Sequence, residues 1–193
     1  MKNYTDEEIL NKIKTLSSFT HYPKTYYIVG IRSKEDKPDT YDDKFYIYKG
    51  TTFITVMTGT TNSGLYGLKN FNLWNKKGTA IVKVDECYYN VWTRGLHKRK
   101  VPALVQTGKL KIIRDNNRNN KSGDSNLYSI ESGIGINFHP NTYNLNIVNK
   151  IINIIIGKWS VGCSVINDII KYRSFLNYTK PQKIFTYILL NEF

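Results

Sequence analysis

Residues 5–19, TDEEILNKIKTLSSF, place Ile9, Ile13 and Leu16 at spacings of four and three, on one face of a helix. Thr5 followed three residues later by Glu8 is a capping-box pair, so the pattern predicts a helix that starts there. Beyond Pro23 the period changes. TYYIVGIR (25–32) is a short run of β-branched and aromatic residues, which predicts a buried strand, and DDKFYIYKGTTFITVMTGTT (42–61) predicts two strands joined at Lys49–Gly50. TNSGLYGLKNFN (61–72) reads as an irregular loop. A second strand group follows in GTAIVKVDECYYNVW (78–92) and PALVQTGKLKIIRDN (102–116), the latter turning at Thr107–Gly108. GIGINFHP (133–140) predicts a short strand ending at a histidine. NDIIKYRSFL (167–176) predicts a helix capped by Asn167, and KIFTYILL (183–190) a closing strand. No internal repeat is apparent.

A chain of 193 residues supports one sizeable core, so the expectation is a single α+β domain, predominantly β, over 1–193. Its elaborations are a helical lead-in at 1–22, a polar loop at 116–129 and an insertion at 141–157. The polar loop, NNRNNKSGDSNLYS, carries Asp115, Asn117, Asn119 and Asp124 at or near its start, but it lacks the Gly and terminal Glu of a calcium-binding loop at their positions. The insertion contains IVNKIINIII (147–156), about half the length that spans a bilayer and interrupted by Asn and Lys, so a covered core segment is expected rather than a transmembrane one. The N-terminus MKNYTDEEIL is acidic and has no apolar core, unlike a secretory signal peptide. A net charge of +13 attracts polyanions, among them nucleic acid, anionic lipid and the phosphate-bearing polymers of a bacterial wall. The Lys and Arg are dispersed and form no recognised nucleic-acid motif, so no specific nucleic-acid partner is expected.

Two cysteines and three histidines bound the chemistry. Cys87 and Cys163 show no staple-like spacing, so a disulfide is not expected. His21, His97 and His139 do not lie at metal-ligand spacing, and no phosphate-binding or dinucleotide motif is present, so neither a metal nor another cofactor is expected. What remains is a Cys and a His. A cysteine nucleophile needs a neighbouring base, and His139 precedes Cys163 by 24 residues at the end of a strand. Gly162 before the cysteine lets a substrate approach the backbone, where consecutive amides can face an acyl oxyanion. The plain alternative is a small buried cysteine and a satisfied strand-end histidine.

GINFHP and GKWSVGCSVI together resemble the signature of the L,D-transpeptidase (YkuD-like) catalytic domain, a His followed some two dozen residues later by Ser/Thr-x-Gly-Cys. IVGIRSKEDKPDTYDDKFYIY, TGTTNSG and GTAIVKVDECYYNVWTRGLHKRKVPALVQTGKLKIIRDNN are similar, in the same order, to a phage- and prophage-encoded branch of that family, so the resemblance covers about residues 25–190. It implies a β-sandwich or mixed-sheet domain with a helix after the Cys turn. It also implies Cys163 as nucleophile, His139 as its base, Gly162 and Cys163 amides for the oxyanion, and Ser160 as support of the turn. The implied reaction is thiolate attack on an amide carbonyl of a peptidoglycan stem peptide, giving a thioester that an amine or water resolves. Pro140 stands where the family has Gly, Val161 where many members have a second His, and Val165 where Arg or Asn is usual.

His97, Trp159 and Arg32 are the candidates for substrate contact, with Trp92 as a second wall. For His97 a solvated loop position is an equal expectation, and for Arg32 a strand-end pairing with Asp42 or Asp43 is favoured. The resemblance implies synthesis in a host cytoplasm and action at the cell wall after release or delivery, or association with a virion and its structural proteins. The rival expectation is a non-enzymatic virion or wall-binding protein that keeps the fold and uses its charge on anionic wall polymers.

Overall fold

A computed structural model describes residues 2–35, 37, 39–121, 128–147 and 154–193. The first helix is α1 (Asp6–Lys14), and Thr5 caps it through the capping box with Glu8. Eight strands close into a barrel: β1 (Tyr26–Arg32), β2 (Asp43–Lys49), β3 (Thr52–Thr60), β5 (Glu86–His97), β6 (Val101–Gln106), β9 (Phe138–Pro140), β10 (Ser164–Ile166) and β11 (Ile184–Asn191). Around the barrel the order is β1-β11-β5-β6-β9-β10-β3-β2, with β1–β11 and β9–β10 parallel and the other pairs antiparallel. A separate sheet holds β4 (Thr79–Val82), β7 (Leu110–Asp115) and β8 (Ser129–Glu131) in the order β4-β7-β8. The α+β, mainly β, class expected from the sequence is therefore present, but the strands close on themselves instead of stacking as a two-sheet sandwich. Among the described residues no helix is long and apolar enough to cross a membrane.

Two apolar clusters explain why several strands read as continuous apolar runs. Ile28, Phe45, Ile47, Phe185, Tyr187 and Leu189 join Trp92, Phe138, Tyr172 and Phe175 in one cluster. Their alternating neighbours Tyr27, Val29, Ile31, Tyr46, Tyr48, Ile188 and Leu190 form the other, beneath Ile9, Ile13 and Leu16 of the N-terminal helix and the turn after it. Successive strand residues point to opposite faces, so β1, β2 and β11 are covered on both. The last helix, α3 (Ile169–Tyr178), sends Tyr172, Phe175 and Leu176 into the first cluster, and the Tyr172 hydroxyl donates to the carbonyls of Pro102 (3.0 Å) and Phe138 (3.3 Å). Those bonds fix the helix against β6 and β9.

Several local expectations are corrected. The 61–72 segment contains a short helix, α2 (Leu65–Asn70), and a 3-10 turn over Phe71–Leu73, where the periodicity is too brief to show in sequence. The run 78–92 breaks at Lys83–Asp85 into β4 and β5, which belong to different sheets, with Asp85 at φ +56 marking the break. Asp168 caps α3, accepting from the Lys171 amide at 3.2 Å. Asn167 instead accepts from the Thr58 hydroxyl at 2.7 Å, which ties the helix start to β3. Of 133–140 only the last three residues, Phe138–Pro140, form a strand, so it runs one residue past the histidine. Of the apolar insertion, 148–153 lies outside the described residues, and so does 122–127 of the polar loop with Asp124. In the described remainder Ile156 is buried, whereas Ile154 and Ile155 are 85% and 60% exposed, unlike a covered core segment.

Candidate active site

The pairing of β9 with β10 builds the centre of the site. It is parallel, with Phe138 opposite Ser164, His139 opposite Val165 and Pro140 opposite Ile166, and the Ser164 amide donates to the Asn137 carbonyl at 2.9 Å. Alternation puts Phe138 into the core and leaves Asn137 and His139 on the face that Cys163 and Val165 share. Phe138 packs edge-on to Phe45 and Phe175, so a large aromatic anchors the strand from behind. The turn before β10 is held by Ser160, whose buried hydroxyl donates to the Cys163 carbonyl (2.9 Å) and accepts from the Gly162 amide (3.1 Å). Ser160 thus holds the turn from both sides.

Gly162 is required by backbone geometry. Its φ is +127°, and a Cβ there would stand 2.4 Å from the Ala80 carbonyl oxygen. Gly162→Ala is expected to cost about 2–4 kcal/mol, from the left-side backbone conformation and the clash together. A urea denaturation series reads this directly, and an unchanged midpoint contradicts the assignment. The same geometry corrects one sequence expectation: the Gly162 amide points into its own turn at Ser160, so it is engaged and does not face the cleft.

His97 joins the centre from a third element. It ends β5 opposite Val101, followed by Lys98 and Arg99 at φ +49° and +59°, and the Lys100 amide closes the turn onto the His97 carbonyl at 2.9 Å. This is a tight two-residue hairpin turn with both central residues left-handed, a geometry whose twist matches the flanking strands, built here without glycine. The His97 ring stacks on His139 with centroids 3.7 Å apart and 15° between planes. One ring nitrogen from each histidine and the Cys163 sulfur all lie within 4.8 Å of one another.

The hydrogen bonds settle the tautomers. The Pro140 carbonyl can only accept, so His139 Nδ1 carries a proton and donates to it at 2.9 Å, leaving Nε2 as a bare lone pair. That Nε2 is buried with no hydrogen-bond partner. For His97 the logic starts one residue away. The Gln106 amide donates to Asn137 Oδ1 at 3.0 Å, which fixes that carboxamide, so Asn137 Nδ2 donates to His97 Nδ1 at 3.1 Å. His97 in its neutral form then holds its proton on Nε2. The Cys163 thiol donates to the Gly135 carbonyl (3.2 Å) and accepts from the Asn137 amide (3.4 Å).

Burial sets the charge state of all three groups. It pushes the His139 imidazolium down to about 3, with the adjacent His97 adding to the effect and the bond to Pro140 opposing it. His97 falls to about 4, from burial and from Lys98. The Cys163 thiol rises to about 11, against the pull of the Asn137 amide and Lys98. The resting site is a neutral thiol beside two neutral imidazoles.

Cys163, 9% exposed, and His97 line a cleft of about 180 Å³ with Trp74, Trp159, Gly135, Lys98, Lys158 and Arg114 among its walls. Its lining contains three cations and no acid, although Arg114 is paired with Glu131. Of the sequence candidates, Cys163, His139, Ser160, Gly162, His97 and Trp159 therefore meet at one place. Arg32 does not line the cleft; its guanidinium donates to the Thr61 hydroxyl at 2.8 Å beside the buried carboxyl of Asp43. Trp92 is not a cleft wall either. It is fully buried, with Nε1 donating to the Ile136 carbonyl at 2.8 Å. Trp74, Lys98 and Lys158 are the residues that sequence reasoning missed; Lys98 lies in the basic run HKRK and Lys158 stands alone, and both were visible only as general charge.

Two nitrogens and a thiol are a donor set that suits Zn²⁺ or copper. Spacing along the chain hides such a set, because its members come from three elements. A metal would have to compete with Asn137 for His97 Nδ1 or force a tautomer whose N–H faces the Asn137 amide donor, so the hydrogen bonds around His97 oppose it. Cys87 is also a free, buried thiol, in the cluster beneath the N-terminal helix. No family model, curated protein sequence or solved structure matches the chain.

Proposed function

We propose that the chain is a cysteine-dependent acyl-transfer enzyme or hydrolase acting on peptidoglycan stem peptides. The observation that carries this reading is a buried His139 whose Nε2 has no hydrogen-bond partner and which has a ring nitrogen within 4.8 Å of the Cys163 sulfur, itself in the lining of a cationic cleft. An unpartnered buried acceptor costs stability, and a base awaiting a proton is a reason to keep one.

In the proposed cycle the thiol leaves the Gly135 carbonyl and gives its proton to His139 Nε2 as sulfur attacks the substrate carbonyl carbon. The imidazolium, held in register by Nδ1–H on the Pro140 carbonyl, passes the proton to the leaving amine as the C–N bond breaks. An amine or water then resolves the thioester. Because burial keeps both partners neutral at rest, transfer is expected only once substrate fills the cleft. Lys98 and Lys158 complement the carboxylates of a stem peptide, and Trp74 and Trp159 offer apolar walls. The resemblance to phage-encoded L,D-transpeptidase-like domains supplies the substrate class and the setting: synthesis in a host cytoplasm and action at the wall after release, or carriage on a virion.

One observation favours the rival reading of a wall-binding protein without catalysis: a thiol held up to about 11 is a poor nucleophile until it is deprotonated by a neighbour. Intact-protein mass after incubation with a carbapenem separates the two. The enzyme reading expects one adduct, mapped to Cys163, within minutes at neutral pH. An unmodified chain under those conditions, together with no new muropeptides from purified peptidoglycan, leaves the binding reading standing.

A further inference from the structure

We infer that His97, as a neutral Nε2–H donor fixed by Asn137, is the side chain that stabilises the oxyanion formed when Cys163 attacks a carbonyl. The inference rests on the acyl-transfer reading above and goes beyond the roles the sequence assigns.

Attack of sulfur on a carbonyl carbon moves the C=O π pair onto oxygen, and the pair returns when the C–N bond breaks. A fixed donor at that oxygen lowers the barrier to both steps. One amide expected to serve, that of Gly162, is bonded to Ser160 Oγ at 3.1 Å. His97 lines the same cleft as Cys163 and has a ring nitrogen within 4.8 Å of its sulfur. Its Nδ1 is taken by Asn137 Nδ2, whose orientation the Gln106 amide fixes, so the nitrogen His97 has to offer is Nε2, and it bears the proton. The relay from Gln106 through Asn137 to His97 is a tautomer lock.

Neutrality is part of the device. The two rings stack at 3.7 Å, so a charge on one strongly disfavours a charge on the other. During turnover the charge belongs on His139, which receives the thiol proton. A neutral His97 polarises the carbonyl without repelling that imidazolium, and it keeps its own proton throughout. Burial supports this by holding His97 down to about 4. Asn137 acts through His97 and is a positioning residue.

The test uses the intact chain and two electrophiles. Acylation of Cys163 by a carbapenem passes through an oxyanion, whereas alkylation by iodoacetamide at a saturated carbon does not. His97→Leu is expected to slow acylation about 100- to 1000-fold while alkylation stays close to wild type. His97→Gln, which restores an N–H donor, is expected to recover part of the loss. Asn137→Asp offers His97 Nδ1 an acceptor in place of a donor. It is expected to move the proton to Nδ1 in ¹⁵N spectra and to slow acylation alone. Wild-type spectra are expected to show His97 protonated at Nε2. A wild-type Nδ1–H tautomer, wild-type acylation in His97→Leu, or equal loss of acylation and alkylation overturns the assignment and leaves the acyl-transfer reading intact. A wild-type chain that alkylates but never acylates overturns both.

Discussion

Cys163→Ala is expected to abolish turnover of purified peptidoglycan, with a loss of about 10⁴-fold or more, because among the described residues no other thiol or hydroxyl lines the cleft. The structure explains why the loss should be chemical and not conformational. Cys163 is 9% exposed, and its turn is held by the Ser160 hydroxyl bonds, by the φ of Gly162 and by pairing of the next residues with β9. None of these needs the sulfur. Removing it deletes one bond to the Gly135 carbonyl and one from the Asn137 amide, for about 1–2 kcal/mol of stability. The cationic walls remain, so substrate binding should survive. Muropeptide profiles before and after treatment, with urea unfolding alongside, separate the two effects. Cys87→Ala is the control, since that thiol lies beneath the N-terminal helix, and it should retain turnover. Undiminished muropeptide release by Cys163→Ala sinks the mechanism.

The elements that showed in sequence are those whose local chemistry agrees with their place in the fold. Thr5 and Glu8 cap a helix whose Ile9 and Ile13 are the residues it buries, and Lys49–Gly50 turns a hairpin in which β2 and β3 pair along their length. Barrel closure was hidden because it depends on β1 meeting β11 in parallel, a contact between the two ends of the chain that no local signal carries. The break within 78–92 was hidden for a related reason: Val82 and Cys87 are both apolar strand residues, and only tertiary structure puts them in different sheets.

At the site, Cys163 and His139 were legible as candidates because a Gly-Cys turn follows a strand histidine at short range; the structure puts His139 within β9 and Cys163 just before its partner β10. His97 was ambiguous, since a histidine between Leu96 and Lys98 reads equally as a solvated hairpin residue. What fixes its tautomer is Asn137, forty residues away, and the amide of Gln106 that orients it. Relays of this kind leave no spacing in the sequence.

Stability is expected to fall as the pH is lowered from 7 to 5, and the site itself is the reason. In the unfolded chain each histidine protonates near pH 6.5, whereas in the fold burial holds His139 down to about 3 and His97 to about 4. A depressed folded value means that the unfolded state binds more protons in this window, so acid favours unfolding. Each histidine contributes about 2 kcal/mol of loss between pH 7 and pH 5, about 4 kcal/mol together. Asp43 works in the opposite sense. Burial raises its carboxyl to about 6 despite bonds from the Ser33 and Thr61 amides, so the fold binds its proton more readily and regains about 1 kcal/mol over the same range. The net expectation is a loss of about 2–3 kcal/mol, read as a lower urea midpoint at pH 5 than at pH 7 with little change in slope. A midpoint that holds or rises at pH 5 contradicts the neutral histidine pair. Because both rings stay neutral in the folded chain down to about pH 4, the acid limb of turnover should track unfolding of the barrel and not titration of the base.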